Sequence, residues 1–106
     1  MAHYLVTATP HEDLLPELSE RLERDEFLAL RPFGRALTVS LRRARRLPNG
    51  KVMWEEEDYC RPPLAQEREA VLDRYFDQLS VEPVVEGTGW ALIEAFPALF
   101  ERLARR

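Results

Sequence analysis

Hydrophobic positions along the chain switch between the two-residue repeat of a strand and the wider repeat of a helix. Residues 4–8 form a short apolar run that predicts a strand, ending in a turn at Thr9-Pro10. The next stretch predicts a helix, because its leucines recur at helical spacing: Leu14, Leu15, Leu18 and Leu22. Pro16 would remove a backbone hydrogen bond from a helix beginning at Pro10. Either the first turn is therefore separate, or the regular helix begins near Asp13.

The middle of the chain predicts three strands. Residues 27–30 form an apolar run that stops at a proline-glycine turn, and residues 37–42 alternate apolar and polar side chains as a half-buried strand does. Residues 48–50 (Pro-Asn-Gly) have the composition of a tight turn, since proline presets the first turn position and glycine supplies a positive φ. The returning strand is expected to carry Val52 and Trp54.

Two helices are predicted in the second half. Residues 64–80 carry apolar side chains on one helical face, and Val84-Val85 form a brief strand after them. The last helix carries an apolar stripe of Trp90, Ile93, Phe96, Phe100 and Leu103. Pro97 must kink or divide this helix.

The resulting order, β-α-β-β-β-α-β-α, predicts the α+β class, with a mostly antiparallel sheet and helices packed on one face. It approximates a ferredoxin-like β-α-β-β-α-β plan with an extra strand and a terminal helix. With 106 residues and no linker or repeat, residues 1–106 are expected to form one domain. Such plans host many unrelated functions, so the fold alone does not predict an activity.

Composition narrows the class of protein. The formal net charge of -4 argues against a dedicated duplex-DNA binder, which usually carries a basic excess. No apolar run approaches the roughly 18 residues that a membrane helix needs, and the first residues lack the pattern of a signal peptide. The single cysteine cannot form an internal disulfide. We therefore expect a cytoplasmic protein that does not bind membranes.

Basic residues concentrate in an arginine hairpin, residues 42–51, which is the first candidate binding surface. Residues 26–51 carry seven basic side chains and one acidic one. Contact with RNA or an acidic protein partner would use Arg42, Arg45, Arg46, Lys51 and Trp54. In every plausible register, however, the acidic run 55–58 of the facing arm lies opposite arginines, so a self-neutralising ladder of opposite charges is the competing interpretation.

No motif indicates catalysis, a cofactor or a metal. Alternation along a strand would place only two carboxylates of residues 55–58 on each face, too few for a magnesium or calcium site. His3, His11 and Cys60 lack zinc-ligand spacing, and Cys60 is expected to be an inert packing residue unless Arg61 activates it.

Gly87-Thr88-Gly89 resembles the start of a phosphate-binding turn. The dinucleotide fingerprint requires a third glycine at position 92, which is Leu92, and no P-loop lysine follows. Plain turn chemistry with Thr88 as a helix cap is the expected role.

Association is the first functional hypothesis. The last helix is apolar over more than one face, which predicts a homodimer through Trp90, Ile93, Phe96 and Phe100 in an adaptor, regulator or accessory subunit. The alternatives are a small-molecule-binding or minimal enzymatic domain of the ferredoxin-like kind, and RNA binding through residues 42–51. A pocket between sheet and helices lined by His3, Tyr59 and Arg61 would favour the small-molecule alternative.

Overall fold

The computed structural model describes residues 2–104, which contain both α-helices and β-strands and confirm the α+β class. In chain order its elements are β1 (Ala2–Pro10), a 3₁₀ turn (Glu12–Leu14), α1 (Leu15–Glu23), α2 (Gly34–Arg42), β2 (Arg45–Arg46), β3 (Val52–Asp58), α3 (Ala65–Glu67), a π-helical turn (Arg68–Leu72), α4 (Asp73–Tyr75), β4 (Phe76–Val84), α5 (Thr88–Ile93) and α6 (Glu101–Ala104). Across these residues no helix has both the length and the hydropathy to cross a membrane.

The four strands form one antiparallel sheet in the order β2-β3-β1-β4. This order is compatible with the ferredoxin-like plan, in which each helical connection joins strands that are not neighbours. The predicted strands at residues 4–8 and from residue 52 onward are confirmed as β1 and β3, the sheet's two central strands. They pair in a register that sets Val6 opposite Trp54 and Tyr4 opposite Glu56.

Alternation along β3 sends successive side chains to opposite faces of the sheet. Trp54 faces the hydrophobic core with neither ring edge exposed, and its ring lies 5.1 Å from that of Phe76. Glu56 and Asp58 share this inner face, whereas Glu55 and Glu57 lie on the outer one. The core on the inner face is built from all three helical regions that precede β4, with members including Leu18, Leu22, Leu37, Leu41, Leu72 and Tyr75.

The strands predicted at residues 27–30 and 37–42 are wrong, so the predicted order β-α-β-β-β-α-β-α does not hold there. Residues 27–30 form turns, and residues 34–42 form α2. Leu37 and Leu41 are four residues apart and fit a helix as well as a strand, but Val39 between them is 49% exposed. Helical periodicity therefore explains the burial. Gly34 permits the helix to begin here, because a β-carbon at this position would lie 2.1 Å from the carbonyl oxygen of Phe27.

The arginine hairpin of residues 42–51 is also corrected. Arg42 ends α2, and β2 contains only two residues, which pair with Val52 and Met53 of β3. The arginines at 42 and 43 therefore do not lie opposite the acidic run. The predicted turn is present, since Leu47 donates its N–H to the carbonyl oxygen of Lys51 at 2.9 Å and Gly50 has φ 87°.

The second predicted helix is shorter than expected, and the last one is divided. The helical segment occupies residues 65–75, and β4 begins at Phe76. The sequence pattern did not indicate this strand because a bulge at Gln78 (φ 51°) disrupts its alternation of apolar and polar side chains. At the end of the chain Pro97 lies between α5 and α6. Of the two outcomes expected for Pro97, division is the one observed.

Candidate functional site

A cleft of about 800 Å³ opens beside β3 and is the candidate site. It forms because β2 is too short to cover the edge of β3 beyond Met53, leaving α2 to pack along the rest. Its walls come from α2, from β1 and β3, from the loop after β3, and from the start of α5. The lining includes apolar and aromatic side chains together with ionisable ones: Phe33, Val39, Tyr59 and Trp90, with Arg35, Arg43, His3, Glu57 and Glu86.

The α2 wall is a stripe of residues at helical spacing. Arg35 and Val39 of α2 and Arg43, which directly follows the helix, are spaced at intervals of four, and all three line the cleft. The guanidinium carbon of Arg43 lies 4.1 Å from the centroid of the Trp90 ring, a cation–π contact that joins α2 to α5. This wall thus presents two cationic groups with an apolar side chain between them.

Glu55 fixes the position of the α5 wall. Its carboxylate is 4% exposed and accepts hydrogen bonds from the backbone N–H groups of Gly87 at 2.9 Å, Gly89 at 2.8 Å and Trp90 at 3.3 Å. A β-carbon on Gly89 would lie 2.8 Å from Oε1 of Glu55, so glycine permits this close approach. The glycine-threonine-glycine segment therefore binds an anion supplied by the chain itself.

The wall formed by β1 and β3 combines an imidazole with carboxylates. Ring nitrogens of His3 lie 3.7 Å from Glu55, 3.9 Å from Glu57 and 3.6 Å from Glu86. Tyr59 donates its hydroxyl hydrogen to Oε1 of Glu57 at 2.7 Å, and this hydrogen bond raises the pKa of Tyr59. Side chains that accept hydrogen bonds are thus concentrated here, across from the arginines of α2.

At one end the cleft borders a buried acidic cluster, which we define as Glu56, Asp58 and Glu67. Glu56 is 1% exposed, Asp58 is 4% exposed and Glu67 is completely buried. Asp58 is one of the cleft-lining residues, and its Oδ2 accepts the backbone N–H of Leu64 at 2.6 Å and that of Cys60 at 3.1 Å. The indole N–H of Trp54 donates to Oε1 of Glu56 at 2.9 Å.

Burial dominates the electrostatics of this cluster. It raises the pKa of Glu67 to about 7, with a further contribution from the hydrogen bond to Asp58. Burial also raises the pKa of Glu56 well above its ordinary value, although the Trp54 hydrogen bond opposes this. For Asp58 burial acts in the same direction, but the hydrogen bonds from Glu67 and from backbone N–H groups outweigh it and hold the pKa lower than usual. The cluster therefore retains a proton near neutral pH.

Cys60 lies beside the acidic cluster and also lines the cleft. A hydrogen bond with the Gln66 backbone lowers the pKa of the thiol, but burial and the charges of Asp58 and Glu67 outweigh it and leave the pKa raised. The sequence allowed for activation of Cys60 by Arg61, and the shift observed is in the opposite direction. Ligand atoms of Asp58, Cys60 and Glu67 all lie within 4.8 Å of one another, a separation at which they could hold a metal ion.

The structure separates the residues proposed as a polyanion or partner contact. Arg42 donates to Asp25 and to the carbonyl oxygen of Leu22, both at 2.7 Å, and Arg45 donates to the carbonyl oxygen of Phe96 at 2.8 Å. Arg46 forms a two-bond pair with Glu12. Lys51 follows the turn at Gly50, and Trp54 lies within the core. Trp54 is therefore inaccessible to a partner, and Arg42, Arg45 and Arg46 already have hydrogen-bond partners within the chain.

The apolar stripe proposed as a dimer interface is also distributed differently from the expectation. Ile93 is 2% exposed and Phe100 is 7% exposed, so both are covered within the chain. Trp90 is half-buried under Arg43, and Phe96 is half-buried near Pro97. The large apolar residue exposed on α5 is Leu92, at 68%.

Sequence reasoning missed the acidic cluster, although one pattern indicates it. Glu67 lies three residues after Leu64 and four before Val71, in phase with the buried side of the helical segment 65–75. Glu56 similarly follows Trp54 by two residues on the inner face of β3. An acid in phase with core residues marks a buried carboxylate. The cleft was anticipated only as a pocket bordered by His3, Tyr59 and Arg61, of which the first two line it.

Comparison of this chain with protein-family models, with curated proteins and with solved structures gave no match, so its site is interpreted from geometry alone.

Proposed function

We propose that this protein binds a small organic anion in the cleft between α2 and β3. The cleft itself carries the proposal. Its volume of about 800 Å³ falls within the range of ligand sites, roughly 300–1,000 Å³, and it combines apolar walls with a few convergent ionisable groups. This is the small-molecule alternative raised by the sequence, except that Arg35 and Arg43, rather than Arg61, supply the cationic groups of the cleft.

Two arginines on the α2 side of the cleft favour an anionic ligand. Arg35 in α2 and Arg43 directly after α2 both line the cleft. A guanidinium group presents paired N–H donors that match a carboxylate, and it retains its charge at any physiological pH. The guanidinium group of Arg43 already lies over the Trp90 ring, and this cation–π contact helps to hold it beside the cleft.

The facing wall favours a hydrogen-bond donor on the same ligand. Glu57 accepts a hydrogen bond from Tyr59 there, and ring nitrogens of His3 lie within 4 Å of the carboxylates of Glu57 and Glu86. Val39, 49% exposed, and Tyr59, 67% exposed, provide apolar surface between the walls. The matching ligand class is a compact aromatic carboxylate that carries a hydroxyl group.

Three related probes test this class: hydroxynaphthoate, naphthoate and naphthol. Binding is measured by calorimetry and by chemical-shift changes in heteronuclear NMR spectra. Hydroxynaphthoate should bind most tightly, with naphthol weakest because it lacks the carboxylate. Arg35→Ala should weaken binding of the carboxylates by about tenfold, the scale of one charge-assisted hydrogen bond. Arg24→Ala, at an exposed arginine directly after α1, is the matched control.

A second pair of variants tests the location. Val39→Phe adds bulk to the cleft wall and should reduce binding, whereas Leu92→Phe makes a similar change at an exposed position on α5 and should not. The proposal is wrong if none of the probes binds, or if naphthol binds as tightly as the carboxylates. It is also wrong if both phenylalanine variants bind equally well.

Cytoplasmic location is retained as a proposal, because a reducing compartment would keep Cys60 as a thiol. Homodimerisation stays a prediction. Native mass spectrometry at several protein concentrations tests association and detects any retained small molecule in one measurement. A dimer would support the adaptor or regulator hypothesis, with Leu92 the first exposed residue to substitute.

We do not carry RNA binding forward, because Arg45 and Arg46 are engaged within the chain.

A further inference from the structure

The end of the cleft nearest α3 brings together three side chains that ligate metals. Sγ of Cys60 lies 3.8 Å from Oε1 of Glu67, and a carboxylate oxygen of Asp58 completes a group within 4.8 Å. A thiolate and a carboxylate bound to Zn²⁺ at about 2.3 and 2.0 Å in tetrahedral geometry stand about 3.5 Å apart. The observed spacing is therefore close to that of a coordinated pair before the ligands contract around an ion.

Two buried oxygen atoms next to this group have no hydrogen-bond donor. Glu67 is completely buried and its Oε2 has no partner, while Glu56 is 1% exposed and its Oε2 has none. A buried oxygen that lacks a hydrogen-bond partner destabilises the folded chain, because it has lost its hydrogen bonds to water. A proton shared between the two carboxyl groups would join these atoms in one hydrogen bond, and a divalent cation is the other species that could neutralise them.

We propose that Asp58, Cys60 and Glu67 form a binding site for a divalent transition-metal ion of the zinc type. The donor set determines the class of ion. A thiolate ligand favours Zn²⁺ and similar ions, whereas Mg²⁺ and Ca²⁺ prefer sets made only of oxygen. The site borders the same cleft, but the proposal does not rest on the organic ligand, because Asp58, Cys60 and Glu67 are not the residues proposed to bind it.

The surroundings are suited to a site that is closed toward the core and open toward the cleft. Asp58 and Cys60 line the cleft, so an ion reaches them without unfolding of the core. Glu67 approaches from the buried side, and Glu56, held by Trp54, stands behind it. Three protein ligands would leave a fourth position for water or an anion from the cleft, the arrangement found in open zinc sites.

Titration with metal alone tests the proposal. Untagged protein is treated with a chelator, dialysed, and titrated with Zn²⁺ in competition with a chromophoric chelator, and separately with Co²⁺ followed by absorption. One equivalent of Zn²⁺ should bind, and Co²⁺ should give thiolate-to-metal charge-transfer absorption with the visible bands of a four-coordinate ion. Cys60→Ser should abolish the charge-transfer band. Both Cys60→Ser and Glu67→Gln should weaken Zn²⁺ binding by more than about tenfold.

Glu69→Gln is the matched control, since Glu69 is an exposed acid on the same helical segment. Circular dichroism of each metal-free variant establishes that it is folded, and Glu67→Gln is suited to this because it removes a buried charge without changing the side-chain shape. Zn²⁺ binding that is equal in wild type, Glu67→Gln and Glu69→Gln would overturn the proposal. So would the absence of a thiolate band in wild-type protein loaded with Co²⁺, or the absence of Zn²⁺ binding.

Discussion

Replacement of Glu67 by glutamine should change how the stability of this protein depends on pH. The Glu67 carboxyl is completely buried, and its pKa rises from an ordinary 4.5 to about 7. The unfolded chain thus releases this proton near pH 4.5, whereas the native protein retains it until about pH 7. Between these values the native state binds more protons than the unfolded state, so the free energy of unfolding falls as pH rises.

The size of the effect follows from the same two pKa values. A tenfold change in acidity corresponds to about 1.4 kcal/mol, so the difference between 4.5 and about 7 amounts to about 3 kcal/mol. This stability is fully present below pH 4.5 and is lost once pH exceeds the native value. Glutamine carries no proton to release, so the loss attributable to position 67 is absent from the variant. The variant also removes the Glu67 charge that helps to raise the pKa of Glu56. Its removal therefore also reduces the loss of stability at high pH.

Urea unfolding in the presence of a chelator, repeated from about pH 4.5 to about pH 8, measures this difference. The free energy of unfolding of Glu67→Gln minus that of wild type should rise by about 3 kcal/mol across the series. Glu69→Gln, an exposed acid on the same segment, should show a difference that stays nearly constant. Wild-type and Glu67→Gln curves that run parallel would refute the reasoning, because they would mean that Glu67 titrates in the folded protein as it does in water.

Three further substitutions test the packing around the site, each by its midpoint of urea unfolding. Gly34→Ala should destabilise the protein by at least about 3 kcal/mol, since its β-carbon would lie 2.1 Å from the backbone oxygen of Phe27; a wild-type midpoint would contradict the close approach. Gly89→Ala should cost about 1–3 kcal/mol by displacing the Glu55 carboxylate, and NMR shifts should change at α5 rather than at α1. Arg46→Ala removes a solvated ion pair and should cost less than about 1 kcal/mol, with a larger loss indicating a structural role for that arginine.

The sequence predicts parts of the fold whose pattern is local. Strand β3 and the turn at Gly50 follow from alternation and turn composition, and both are present. Helix α2 was mistaken for a strand because Leu37, Val39 and Leu41 satisfy either period when burial is unknown. Only tertiary packing, which buries the two leucines and exposes Val39, separates these possibilities.

The candidate site depends on contacts between distant parts of the chain, which periodicity does not encode. Glu55 binds the Gly89 backbone across 34 positions, and His3 reaches both β3 and the segment before α5. Residue types indicated that acids lie on both sides of β3. They did not indicate that Glu67 would join Asp58, because this meeting requires α3 to pack against the end of the strand.

The number of acids on each face of β3 does not select the alignment of this strand in the sheet. A slip of one residue would exchange the faces of Glu55 and Glu56, and of Glu57 and Asp58, leaving two acids on each face. The same slip would turn Trp54 out of the core and bring Met53 in. Correct pairing during folding therefore relies on the apolar pair formed with Val6 and on the particular hydrogen bonds of Glu55 and Glu56, which a slip would break.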